Sequence, residues 1–166
     1  MAIWQFDVSL VPAGGSVAGR EHAPLNAAEI LFLHRLLAAT TPKVSNIDGD
    51  AISYGYADGN RIDLMELARG RHAAWIAIDA RSDCDYFCRL VCQLARVLNC
   101  ELFSPEFETT LSPTRRGLLS GLMKSFLTSS GTLLNVNAPL PTFLYCLTTE
   151  KALLQKRWPQ CLFPGR

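Results

Sequence analysis

The 166-residue chain predicts an α+β fold: an antiparallel sheet of four or five strands, with about four helices packed mainly on one face. Three observations carry this. Ile3 to Val11 alternates as a strand does, with Trp4, Phe6, Val8 and Leu10 on one face and Gln5, Asp7 and Ser9 on the other. Two strand-like runs flank Asp58-Gly59-Asn60, a strong hairpin signal, and lead to a third strand with no helical crossover. That succession implies an antiparallel meander. Finally, Ala73 to Phe103 reads as strand, charged turn, helix, strand, and the rest of the chain is organised around this unit.

Taken in order, the first strand covers about 3–11 and is followed by a loop from Pro12 to Pro24 that is rich in Gly and Ala. Asn26 and Glu29 form a capping-box pair that starts a helix over 26–39. Its residues Ile30, Leu31, Phe32, Leu33, Leu36 and Leu37 run most of the way round, so either the domain covers both sides or one side meets another chain. Thr40, Thr41 and Pro42 end it, and Ile47 to Asp50 makes an acidic turn. Strands follow at about 51–57, 60–67 and 73–80. In the last, Ile76 and Ile78 point one way, and Trp75, Ala77 and Asp79 the other.

Ser82 is the expected N-cap of the next helix, over 83–98, with Asp85 three residues on. Cys84, Phe87, Cys88, Val91, Cys92, Leu94, Ala95 and Leu98 share one broad face of it. Asn99 is expected to leave the helix in the left-handed region, and 100–103 makes a short strand ended by Pro105. Ser112-Pro113 is expected to open a helix over 113–128, and a last helix is expected over 142–157, stopped by Pro159. No internal repeat, low-complexity stretch or linker interrupts the chain, so residues 1–166 read as one domain.

Composition narrows the function classes. The formal net charge is only +1, which gives no reason to expect nucleic acid or an anionic membrane surface as partner. No apolar run approaches the ~18 residues of a membrane span. No signal peptide is seen, and the six cysteines read as reduced, mostly buried thiols of a cytoplasmic protein. Cys84, Cys88 and Cys92 recur every four residues along a helix, unlike the turn-borne pairs of zinc sites, so they are read as packing and no metal or cofactor is expected.

Catalytic signatures are also missing. There is no G-x-S-x-G, no S-x-x-K and no phosphate-binding glycine loop, and no catalytic residue is assigned. The many aspartates sit at turns and strand ends, where Asp is favoured for its side-chain hydrogen bonds. Asp79 and Arg81 lie on one face of a strand end, spaced to bond each other, a neighbouring loop or a partner.

The run Tyr56 to Asp63, followed by Ile76-Ala77-Ile78-Asp79-Ala80-Arg81 and by Phe87 to Ala95, resembles small bacterial proteins of the polymorphic-toxin immunity type. The shared pattern is a D-G hairpin, a strand ending in D-x-R, then a helix leading to a Cys-containing strand. The resemblance covers about residues 50–103 and implies a non-enzymatic cytoplasmic protein that blocks a cognate toxin by binding it. It supplies no motif from which binding residues are carried over. The near-neutral charge departs from the strongly acidic character of nuclease inhibitors.

The sequence therefore leads to the expectation of a protein-binding module, with a toxin or a second copy of the chain as partner. Leu31, Phe32, Asp79, Arg81 and Asp83 are its expected contact residues. The alternative is a small enzyme or small-ligand-binding protein with a polar site at the strand ends around Asp79 and Arg81, joined by Asp83 and by Asp63 or Tyr54. A pocket there holding carboxylates of raised pKa would favour it.

Overall fold

The computed structural model describes residues 5–14, 24–44, 51–67, 71–82 and 84–130. The expected helix over 142–157, the acidic turn, Asp83, Cys146, Cys161 and most of the Gly-rich loop lie outside the described residues. The elements in order are β1 (Gln5–Pro12), α1 (Ala27–Thr40), β2 (Lys43–Val44), β3 (Ala51–Gly55), β4 (Arg61–Leu67), β5 (Arg71–Asp79), α2 (Asp85–Val97), β6 (Cys100–Ser104), β7 (Thr109–Leu111) and α3 (Arg115–Ser130).

The fold is α+β, built on a single antiparallel sheet of order β2-β3-β4-β5-β1-β6-β7. Strands β3, β4 and β5 form the expected meander. The strand number exceeds the expected four or five because β2 and β7, of two and three residues, close the two edges. Both are too short to show an alternation in sequence.

Register decides what each face carries. Phe6 lies opposite Ile78, Val8 opposite Ile76 and Leu10 opposite Leu102. Ile62 also meets Ile76, and Leu64 meets Ala74. All are buried, and they share one core with Ile30, Leu33 and Leu37 of α1, Phe87, Cys88, Val91, Cys92 and Leu94 of α2, and Leu118 and Leu122 of α3. The three described helices thus cover the apolar face, as expected. Gly121 lets α3 approach closely, since a Cβ there would lie 2.9 Å from side-chain atoms of both Phe6 and Leu111.

Helix starts follow the sequence in one case and depart from it in two. At α1 the Asn26 side chain accepts from the Ala28 and Glu29 amides, and Glu29 reaches back to the Asn26 amide at 2.7 Å. At α2 the cap position is Cys84, not Ser82. The Ser82 hydroxyl is engaged elsewhere: it donates to the Asp79 carbonyl and accepts from the Asn60 amide. Asp85, expected in a capping box, pairs instead with Arg89 and Arg115, which ties α2 to α3. At α3 the Thr114 hydroxyl accepts from the Gly117 amide, so the cap falls at Thr114 and the helix begins two residues later than Ser112-Pro113 predicts. Asn99 does adopt a left-handed φ of 51°. Among the described residues no helix is long and apolar enough to cross a membrane.

Candidate functional site

The second face of the sheet has a different chemistry. The same register that aligns the core sets Gln5 opposite Asp79, and aligns Asp7, Ala77 and Arg61 across three strands. The next row is Ser53, Asp63, Trp75 and Ser9. No described helix packs on this polar face. Toward β6 it becomes apolar, with Val11 and Phe103 buried.

The polar row ends in a pocket of about 170 Å³ beside the β3–β4 turn. Its walls are the turn residues Ala57 to Gly59 together with Gln5, Arg61, Asp79 and Arg81. The turn is closed by hydrogen bonds from the Tyr56 amide to the Asn60 carbonyl and from the Gly59 amide to the Tyr56 carbonyl. Asn60 anchors it to β5: its Oδ1 accepts from the Asp79 amide at 2.9 Å, and its Nδ2 donates to Ser82 at 2.9 Å.

Asp79 and Arg81 bond each other, as their spacing predicts. Arg81 Nη2 lies 2.7 Å from Asp79 Oδ2, Nε donates to both carboxylate oxygens, and the Arg81 amide donates to Oδ1 at 2.8 Å. Burial pushes the Asp79 carboxyl up, but the hydrogen bonds and charge of Arg81 outweigh it and hold the group below the usual carboxylate range. The same partner raises the Arg81 pKa. A second arginine is fixed in the same manner: Arg61 Nε donates to Asp63 Oδ2 at 2.9 Å, and Nη1 to the Ala57 carbonyl at 2.8 Å. Arg81 Nη2 also reaches the Asp58 carbonyl at 3.3 Å.

The carboxyl of raised pKa is Asp7, one row along the same face and outside the pocket lining. Burial raises it, against an opposing hydrogen bond from Gln5 at 2.8 Å and the charge of Arg61. Asp79, being ionised and fully bonded, has neither the pKa nor the free lone pair of a general base. The Ser9 hydroxyl and Asp63 Oδ1 are buried without a hydrogen-bond partner.

Leu31 and Phe32 lie elsewhere. They are on α1, over the apolar face, so the expected contact residues form two separate surfaces. Ile30, Leu33 and Leu37 point into the core, while Leu31 and Phe32 are 51% and 39% exposed. The exposed positions around them are Ala27, Ala28, Ala38, Ala39 and one charge, Arg35. The partly buried His34 bonds the Tyr54 hydroxyl through Nδ1 at 2.9 Å, fixing α1 to β3.

Cys84, Cys88, Cys92 and Cys100 are reduced thiols buried in the core. The hydrogen bond with Cys84, together with burial, pushes the Cys88 thiol up, and burial pushes Cys100 up to about 11. Burial raises Cys92 as well, so these three thiols are held protonated, unlike reactive ones. Among the described residues no group of three His, Cys, Asp or Glu is placed to hold a metal ion.

Gln5, Arg61 and the turn backbone were not singled out from sequence. The signal for Gln5 was present in the β1 alternation, which sets it on the face of Asp7; only the pairing with β5 places it beside Asp79. No family model, curated protein or solved structure matches the chain.

Proposed function

We propose that this chain is a non-enzymatic protein-binding module whose contact surface is the outer face of α1. One observation carries the reading: between residues 27 and 39 the exposed side of α1 presents Leu31 and Phe32 among alanines, with Arg35 its one fully exposed charge and Glu29 half-buried at the capped start. A lone exposed leucine is ordinary. A helix that is apolar on both its inner and outer sides is not, since a solvated outer side is normally charged. Small alanines allow close backbone approach, and a central Leu–Phe pair supplies the kind of large apolar anchor that dominates binding energy. The occupant is a protein with an apolar patch and an acidic group to meet Arg35. The resemblance to immunity proteins makes a toxin the partner, blocked by stoichiometric binding.

The test pairs an outer with an inner substitution. Leu31→Asp/Phe32→Asp should leave stability within about 0.5 kcal/mol of wild type, because both side chains are exposed. It should weaken binding to the purified, identified partner at least ~100-fold, on the scale of losing two anchors. Leu33→Asp, at the adjacent residue on the buried side, should unfold the domain. Undiminished partner binding by the outer variant would remove this reading. A wild-type dimer that the outer variant turns to monomer, seen by sedimentation, would identify the occupant as a second copy and exclude the toxin.

A second reading has its own observation. The pocket between the β3–β4 turn and β5 supports a small-ligand site at the strand ends, on the face opposite to α1.

A further inference from the structure

We propose that the pocket at the β3–β4 turn binds a carboxylate group. The inference deepens the second reading above and is independent of the α1 surface. It follows from which hydrogen-bonding groups around the pocket are already used.

The Asp79 carboxylate and two turn carbonyls lining the pocket already accept bonds. An ionised carboxylate offers about four lone-pair positions. Asp79 Oδ1 accepts from the Arg81 amide and Nε, and Oδ2 accepts from Nε and Nη2. The turn carbonyls of Ala57 and Asp58 accept from Arg61 Nη1 and Arg81 Nη2. On the donor side, Gln5 Nε2 already donates to Asp7 Oδ1.

The donors are not exhausted. Among the described residues Arg61 bonds only through Nε and Nη1, and Arg81 only through Nε and Nη2. Arg61 Nη2 and Arg81 Nη1 therefore remain on two guanidinium groups that line one pocket. Each guanidinium is held by a carboxylate and by a turn carbonyl, so its free end is fixed before any ligand arrives. That fixing reduces the ordering cost of binding. Paired N–H donors on guanidinium match the two oxygens of a carboxylate.

The pocket volume admits a carboxylate with a short stem and not a drug-sized molecule. Asp58 is the opposing charge. It is exposed and lines the same pocket, so it weakens an anion's binding through a screened repulsion. This gives a signature that a cation site would not show: neutralising Asp58 should tighten the ligand.

The same chemistry comes from a free small acid or from a glutamate side chain on a protein. The experiment uses the full chain, labelled with ¹⁵N, and follows the arginine Nε–Hε signals and the amides of Ala57 to Gly59. Sodium acetate is titrated against sodium chloride at matched ionic strength, with methylammonium chloride as the cationic probe. Acetyl-Ala-Glu-Ala-amide and its Gln counterpart form the protein-borne arm. Acetate should shift these signals saturably, with a Kd on the order of 10 mM, as suits so few atoms. Asp58→Asn should tighten acetate roughly threefold, and Arg81→Gln should weaken it about tenfold. Because Arg81→Gln strips Asp79 of its partner, Asp58→Asn is the variant that decides if the former fails to fold. A Glu peptide binding at least ~10-fold tighter than acetate, with the Gln peptide inert, identifies a protein-borne carboxylate; equal binding identifies a free acid. Saturation by methylammonium instead, abolished in Asp58→Asn, would overturn the carboxylate and leave a pocket ligand site. Response to neither ion would overturn both.

Discussion

Gly55 ends β3 at a φ of +125°, a backbone conformation that L side chains rarely adopt. A Cβ there would fall 2.2 Å from the Asn60 carbonyl oxygen, a backbone atom fixed by its bond from the Tyr56 amide. Gly55→Ala should therefore cost about 2–4 kcal/mol, since conformational strain and a backbone clash act together. Urea titration checks it; a midpoint within error of wild type would show that the turn is not held as described. Two carboxylates give a second, signed prediction. Asp7 has its pKa raised by burial, so the unfolded chain ionises it more readily than the folded one. Its contribution to stability is present below the ordinary carboxylate range and is lost as pH rises through the folded pKa. Asp79 has its pKa lowered by Arg81 against burial, so its contribution is present above the ordinary range and is lost as pH falls through the folded pKa. Asp7→Asn should gain stability relative to wild type on going from pH 3 to pH 7, and Asp79→Asn should lose it. Thermal or urea unfolding of both variants at the two pH values reads the opposite slopes; parallel slopes would contradict the assignment.

Among the elements, the long ones were legible because their side chains repeat. The face of α2 that carries Phe87, Cys88, Val91, Cys92 and Leu94 is buried, and the helical period alone locates it. The buried and exposed sides of α1 were not separable in sequence, because Leu31 and Phe32 are as apolar as Leu33 and Leu37; only packing on the sheet shows which pair faces out. Caps were misplaced where another partner competed for the side chain. Ser82 is drawn to Asp79 and to Asn60, and Asp85 to Arg89 and to Arg115; Asn60 and Arg115 are remote in sequence from the helix start. Strand β7 follows Glu108, which takes a φ of +50° without the Gly or Asn that marks such a turn in sequence. The site was half legible. Asp79 and Arg81 are two residues apart on one strand face, so their bond follows from spacing. Arg61 and Gln5 come from strands on either side of β5, and their place in the pocket depends on a register that local sequence does not encode. That is also why Asp7, rather than Asp79, is the carboxyl of raised pKa: both are buried, but Asp7 has no arginine bonded to it.

At the scale of the whole molecule, the order β2-β3-β4-β5-β1-β6-β7 places the first described strand inside the sheet, between β5 and β6. Strand β1 is hydrogen-bonded on both sides, to β5 and to β6, and its Phe6, Val8 and Leu10 are fully buried. The β3–β4–β5 meander can pair locally, but the sheet is incomplete until β1 inserts between strands much later in sequence. Closing such long loops precedes the contacts that offset their entropy, so folding should be slow for the chain's size, in milliseconds to seconds. The same topology ranks local stability. Amides at the β1–β5 and β1–β6 pairings should exchange with solvent only through global unfolding, while β2, β7 and the turn from Tyr56 to Asn60 should open by smaller fluctuations. Native-state hydrogen exchange in increasing denaturant tests this: β1 and β5 amides should merge onto one isotherm with the slope of global unfolding, and those of the turn should stay independent of denaturant. If the β3–β4 hairpin were instead protected longer than β1, the meander and not the inserted strand would be the cooperative centre. The expected ranking also bears on the pocket. The turn side of the pocket, Ala57 to Gly59, is expected at the low end of that ranking, and its β1–β5 side, Gln5 and Asp79, at the high end.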